Sequence, residues 1–188
     1  MLIAFHKPYG VLSQFTPDGS PHETLHAFAF PKNVYPLGRL DADSEGLLLL
    51  SNEAGLNTKL LKPENQHSRT YYAQVEGDPN ESNLDVLRQG LKLADHDCLP
   101  CGARILTPQP DFPPRIPPIR IRKMIPSTWI ELELVEGKNR QVRRMTAAIG
   151  FPTLRLIRMK IGAYPLADLP AGTWKELSFQ DTQHIFSS

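Results

Sequence analysis

The apolar positions of this chain change rhythm several times, and each change predicts an element. LIAF (2–5) is a short apolar run that reads as a buried strand, closed by Lys7-Pro8 because proline offers no donor and restricts the residue before it. Residues 13–24 are rich in Pro, Gly, Ser and Thr and read as loop. Leu47–Leu50 is continuous rather than alternating, as expected of a strand buried on both faces, and Ser51 or Asn52 is placed to cap a short helix carrying Leu56, Leu60 and Leu61. TYYAQVEG (70–77) has strand composition. Asp78-Pro79 opens a helix with Leu84, Leu87 and Leu91 on one side and a stop near Gly90.

The second half contains the cleanest alternation. In TWIELELVEG, Ile130, Leu132 and Leu134 face one way and Glu131 and Glu133 the other. Asn139 is a candidate N-cap for RQVRRMTAAIG, whose Val142, Met145 and Ile149 form one helical stripe ending at Gly150. LRLIRMKIG is strand-like again. Strands outnumber helices and do not alternate with them regularly, so the expected class is α+β with a mixed, mainly antiparallel sheet flanked by helices. Between the halves, residues 108–118 hold six prolines, which predicts an extended, exposed loop. Arg115, Arg120, Arg122 and Lys123 punctuate the second half of the stretch 108–123.

Composition adds little until charge is read by segment. A chain of 188 residues with 40% hydrophobic content is an ordinary globular protein with length enough for a core, without an apolar run fit to span a membrane. MLIAFHKPYG does not read as a targeting peptide, so the expected address is the cytoplasm. Cys98 and Cys101 form one Cys-x-x-Cys without the second ligand pair a zinc site needs; with His96 near, a redox pair is the alternative to two reduced loop thiols. The net charge of +1 conceals a balance of −5 over residues 1–100 (8 basic, 13 acidic), +8 over 101–160 (12 and 4) and −2 over 161–188 (1 and 3). Such asymmetry suits one surface built for a polyanion, with a scattered solvated surface as the alternative.

Two stretches concentrate candidate chemistry. EGKNRQVRRM places Arg140, Arg143 and Arg144 in the opening turns of a helix, against the macrodipole, where phosphates, a buried carboxylate or surface acids would relieve the conflict. Gly-Lys here lacks the glycine and the Ser/Thr of a phosphate-binding loop. GRLDADSEGLLLL sets Asp41 between an arginine and four leucines, either as a turn former or as an ionised carboxylate shielded from water and held by a cation. Asp43 and Glu45 are expected to be exposed in the turn, which argues against a paired-carboxylate glycosidase.

These motifs, with KPYGVL at Lys7-Pro8 and LRLIRMKIGAYPLADLPAGTW downstream, resemble the RsuA-type family of ribosomal RNA pseudouridine synthases, in order and along essentially the whole chain. The resemblance implies a cofactor-free, metal-free isomerase of a uridine in large-subunit (23S) ribosomal RNA. It implies a monomer acting on a stem-loop, with no membrane partner. It implies one catalytic domain over 1–188 with two subdomains about a central active-site cleft and no N-terminal S4 domain. By resemblance Asp41 is the catalytic residue, Arg143 its paired cation and Tyr71 the ring packed on the target base. Leu156 is the opposite wall, and Arg39 fills the space a flipped nucleotide leaves. Extrusion of the base fits this set, since a base inside a helix cannot be detached and turned. Lys7, Arg69, Arg115, Arg120, Arg122, Lys138, Arg140 and Arg144 are the expected RNA-binding residues, with Arg155, Arg158 and Lys160 contributing. Tyr72, opposite Tyr71, reads as core packing. A non-catalytic RNA-binding or ribosome-assembly protein, or a synthase for another RNA, is the alternative reading.

Overall fold

The computed structural model describes residues 1–61, 67–119, 122 and 124–186. Arg120 and Lys123, and the side chain of Leu61, lie outside the described residues. The chain forms two compact units, one of 1–69 with 157–188 and one of 70–156.

In the first unit, strand β1 (Leu2–Lys7) pairs antiparallel with β3 (Glu45–Ser51), in register from Leu2 opposite Ser51 to Lys7 opposite Gly46. The other edge of β3 is shared. Its end pairs antiparallel with β2 (Tyr35–Leu37), and its start pairs parallel with the later strand β7 (Thr153–Ile161), with Gly46 opposite Arg158. With neighbours on both edges and packing on both faces, all seven β3 residues are buried and Leu47–Leu50 have no exposed surface. This is why the four leucines show no alternation. Fully burying each leucine contributes about 1.5–3 kcal/mol. A short β8 (Tyr164–Pro165) turns back on β7, and β9 (Trp174–Glu176) pairs with β1.

Phe5 on β1 anchors an aromatic group with Phe28 and Phe30, ring centroids 4.9 and 5.0 Å away. Helix α1 (Leu56–Leu61) begins five residues after Ser51, so the expected cap is corrected. Ser51 belongs to β3; its hydroxyl donates to the Met1 carbonyl and accepts from the Glu53 N–H. A C-terminal helix closes this unit (Phe179–Phe186, α4 in chain order), with Ile185 buried.

The second unit is built on β4 (Arg69–Glu76, whose first residue falls in the first unit), β5 (Gly102–Ile105) and β6 (Ser127–Leu134), in the order β5-β6-β4. The period-2 reading of β6 holds: Ile130, Leu132 and Leu134 are buried, Glu131 is half-buried and Glu133 is exposed. Helix α2 (Glu81–Gln89) and helix α3 (Gln141–Ala148) supply the rest of the core. Leu84 and Leu87 of α2 are fully buried, and Val142 and Met145 of α3 join the same cluster.

Both expected N-caps move. Asn80, not Asp78-Pro79, caps α2 in a reciprocal box with Asn83, a pair that satisfies two first-turn donors at once. For α3 the cap position belongs to Arg140, at φ +47°, rather than to Asn139. The Gln141 side chain closes that start instead, accepting from the Lys138 N–H at 2.9 Å.

Candidate active site

Asp41 sits half-buried in the loop between β2 and β3, and each residue around it is tied down separately. Gly38 takes φ +73°, open to a residue without a Cβ, and its N–H donates to the Asn57 side chain at 2.9 Å. Leu40 is buried, and its N–H and carbonyl both bond the Ser13 hydroxyl, at 3.0 and 2.7 Å. The Asp41 carbonyl accepts from the Ser44 N–H at 3.0 Å, closing a turn. The Ala42 carbonyl accepts from the Gly10 N–H at 2.7 Å, which joins the KPYGVL segment to the turn. The leucines of β3 therefore anchor the segment that follows Asp41, while Ser13 and Gly10 fix the backbone of the turn itself.

Beneath this turn lies a buried charged group that the sequence did not predict. Lys7 has no exposed surface; its ammonium donates to the Val11 carbonyl at 2.7 Å and to that of Pro8 at 3.1 Å. Burial pushes its pKa down from 10.5 to about 7, against the opposing pull of Glu45, Asp43 and Asp41 and with a further push from Arg158. Glu45 is buried at the start of β3 and Asp43 is half-buried, so neither is the exposed turn acid expected. Arg158 is buried too, donating from Nε to the Leu47 carbonyl at 2.7 Å.

Several basic residues expected at an RNA surface are thus corrected to internal ones. Lys7 is enclosed by backbone carbonyls. Arg69 is buried and donates to the Leu60 carbonyl at 3.1 Å. Arg155 is buried, donating to the Pro113 carbonyl at 2.8 Å, with its guanidinium 5.8 Å from the Phe112 ring centroid. Long basic chains can satisfy carbonyls in the interior, and no local pattern distinguishes these from surface ones.

Arg39 is exposed, and its guanidinium reaches Gln14 Oε1 at 3.3 Å. Arg39 and Gln14 line an open pocket of ≈ 350 Å³ with Ser13, Pro36, Gly38 and Asn57. Sequence reasoning missed Ser13, Gln14 and Asn57 here, because two fall in an irregular loop and the third on a short helix with no motif to mark it.

In the second unit, Val142, Met145 and Leu156 belong to one buried apolar cluster, and Tyr71 is half-buried and packs against it. Arg143, beside Val142 on α3, is half-buried and donates to the Thr153 carbonyl at 3.2 Å. Tyr72 packs edge-on against Phe112 at 6.2 Å, and Phe112 in turn lies 5.1 Å from Trp129. The proline-rich segment is thereby held at its base.

Arg144 pairs through both terminal nitrogens with Asp95, whose carboxyl is held well below the usual range by that contact and then by His96. The surface-acid reading therefore applies to Arg144. Lys138 and Arg140 are exposed, Arg122 pairs with Glu76 at 3.3 Å, and Arg115 donates to the Pro117 carbonyl at 2.9 Å. Lys160 is exposed. Cys98 and Cys101 are free thiols; burial raises the pKa of both, that of Cys101 to about 11. Among the described residues no three His, Cys, Asp or Glu side chains group so as to hold a metal ion, and no helix is long and apolar enough to cross a membrane.

The model of a family described as RNA pseudouridylate synthase matches residues 1–148. The chain is 49% identical over 176 residues to ribosomal large subunit pseudouridine synthase E of Xanthomonas campestris pv. campestris, covering 93% of this chain and 94% of that protein. It is 50% identical over 177 residues to the protein of the same name from Vibrio vulnificus, covering 94% and 75%. Ribosomal large subunit pseudouridine synthase B of Bacillus subtilis is 33% identical, covering 96% and 69%. In fold, the chain is similar to a crystal structure of pseudouridylate synthase, with a TM-score of 0.79 at 22% identity, covering 98% of this chain and 73% of that one. A family match that takes in the Asp41 turn and runs through α3, with half-identity along nine-tenths of the sequence, means that this chain belongs to the RNA pseudouridylate synthase family.

Proposed function

We propose that this protein converts a uridine of large-subunit (23S) ribosomal RNA to pseudouridine, with Asp41 as the catalytic residue. The observation that carries the reading is the half-identity with two proteins named for large-subunit pseudouridine synthesis, extending over more than nine-tenths of this chain. The site supports it. A carboxylate that must act on one extruded nucleotide needs a fixed backbone, and the Asp41 turn is bonded to Ser13, Gly10 and Ser44. The isomerisation detaches the base, turns it and rejoins it through carbon, with no net redox change and no group donor. Tyr71, half-buried against the apolar cluster that includes Leu156, is the ring assigned to the turned base, with Leu156 as the assigned aliphatic wall. Arg143 is the cation assigned to the catalytic carboxylate, and Arg39 to the gap left in the RNA. Lys138 and Arg140, exposed at the start of α3, with Arg115 and Arg122, are the assigned phosphate contacts. The protein works as one catalytic domain, a monomer in the cytoplasm, on a stem-loop.

The test is to treat 23S rRNA transcripts with the wild-type protein and with Asp41→Asn, then map pseudouridine by carbodiimide modification and primer extension. A single stop that appears only with the wild type is expected. Equal stops from both would remove Asp41 from the chemistry, and RNA binding without any stop would overturn the isomerase reading for this RNA.

A further inference from the structure

The Cys-x-x-Cys loop has no part in the chemistry assigned above, yet it ends an ordered chain of acid–base groups. Arg144 on α3 holds the Asp95 carboxylate through both terminal nitrogens. Asp95 Oδ1 lies 3.0 Å from His96 Nδ1, and His96 Nε2 lies 3.5 Å from Cys98 Sγ. The arginine keeps the carboxylate ionised, so Asp95 can only accept. The neutral imidazole therefore carries its proton on Nδ1 and turns the Nε2 lone pair to the Cys98 thiol, which donates. Carboxylate, imidazole and thiol stand in the order that activates a nucleophile.

The second thiol is close and better exposed. Cys98 is buried within the apolar cluster of this unit, whereas Cys101 is half-buried against the same cluster and donates to the Leu87 carbonyl at 3.4 Å. Burial, then the neighbouring Cys98, push the Cys101 thiol up to about 11, and burial raises Cys98 as well, so both rest protonated. The loop is also keyed to the start of α3. Cys98 hydrogen bonds with the Gln141 side chain, and Glu136 accepts from the Leu99 N–H at 2.9 Å and from the Gln141 amide.

We propose that Cys98 and Cys101 form a reversible redox site, oxidised by low-molecular-weight disulfides, with His96 as the base that makes Cys98 the closing nucleophile. Cys101, the thiol a small molecule meets first, loses its proton to solvent and attacks a disulfide RSSR. The RSSR bond breaks, one RS⁻ leaves and takes a proton from solvent, and a mixed disulfide stands on Cys101. Cys98 then passes its proton to His96 Nε2 and attacks Cys101 Sγ, expelling a second RS⁻ that the imidazolium reprotonates. Two protein thiols are oxidised to one disulfide while RSSR is reduced to two RSH. Closing the bond takes the Cys98 sulfur from Gln141, the side chain that closes the start of α3, so oxidation loosens the turn that presents Lys138 and Arg140. Nothing in these steps depends on the reaction at Asp41.

Glutathione is the probe. The reduced full-length protein is equilibrated with reduced and oxidised glutathione at several ratios, quenched in acid and weighed intact. With only two cysteines in the chain, an internal disulfide is necessarily Cys98–Cys101. The wild type should lose two hydrogens as the oxidised share rises and regain them in reduced glutathione. Cys98→Ser should stop at one glutathione on Cys101, and Cys101→Ser, left with the buried thiol, should stay largely unmodified. His96→Gln should accumulate the mixed disulfide, closing about a hundredfold more slowly, the low end of what a positioned base contributes. Circular dichroism verifies that each variant folds. Hydrogen exchange on the wild type should show the first-turn amides of α3 exchanging about fivefold faster once oxidised, as for the loss of one hydrogen bond.

A wild type that keeps both thiols, or that carries glutathione without closing, overturns the site, and neither result requires a variant. Equal closing rates for wild type and His96→Gln overturn the role of His96. Unchanged exchange at the start of α3 overturns the link to the helix.

Discussion

Replacing Lys7 by methionine should remove a specific pH dependence from the stability of this protein. In the folded chain the ammonium is enclosed and its pKa stands at about 7, whereas the unfolded chain has the ordinary value of 10.5. Between those values the unfolded state holds a proton that the folded state has lost, so stability rises with pH there by up to about 1.36 kcal/mol per pH unit. Below pH 7 both states are protonated and the burial cost is fully present; above 10.5 both are neutral and it is gone. Worked across pH 7.0 to 9.5, the wild type should gain about 3 kcal/mol of unfolding free energy from this group alone. The cysteines act in the opposite direction. Their raised pKa values mean that the unfolded thiols lose protons first, so stability falls above pH 9. Lys7→Met keeps both thiols, and subtracting its pH profile from that of the wild type isolates the lysine. Urea denaturation followed by circular dichroism at pH 7.0, 8.0 and 9.5 gives that difference. Parallel profiles, within about 0.5 kcal/mol, would show that Glu45 and its neighbours outweigh burial and keep Lys7 charged throughout, which would refute the account of the buried group given above.

Gly46→Ala should be far more damaging than a single methyl suggests: at φ +104° the new Cβ would collide with the Arg158 backbone carbonyl, and a loss of about 3 kcal/mol or more, or failure to fold, is expected in a thermal melt. Asn80→Ala removes the reciprocal cap of α2 and should cost about 1 kcal/mol by urea denaturation, with no change in RNA affinity. Arg144→Ala breaks an exposed pair with Asp95, so a stability change below about 1 kcal/mol is expected, with the salt dependence of RNA binding unaltered. Lys138→Ala, by contrast, should flatten the slope of log K against log salt by about one, and an unchanged slope would remove Lys138 from the phosphate contacts.

What the sequence made legible follows from how far each determinant acts along the chain. Leu47–Leu50 and the alternation of Ile130, Leu132 and Leu134 are local signals, because a strand's burial pattern is written in its own residues; both elements stand where the pattern put them. Helix starts were less legible. Asn139 has the preferred chemistry of a cap, yet Arg140 takes the cap position in a left-handed conformation because Gln141 reaches back to Lys138 and closes the turn another way. The basic residues were least legible, since whether a lysine or arginine is buried depends on carbonyls brought to it by the fold. Lys7 meets Val11, Arg69 meets Leu60 and Arg155 meets Pro113, and nothing in the sequence near any of the three announces its partner. The segment charge of +8 therefore overstated the polyanion surface, because Arg155 and Arg158 within it are internal and Arg144 is taken by Asp95. Asp41 belongs to both categories. Its motif was readable as a resemblance, but the bonds that fix its turn come from about thirty residues upstream, from Gly10 in the KPYGVL segment and from Ser13 at the start of a stretch that reads only as loop. A carboxylate's chemical type is local, whereas its positioning is tertiary: here it depends on a hydroxyl and a backbone N–H brought to the turn from a distant part of the chain.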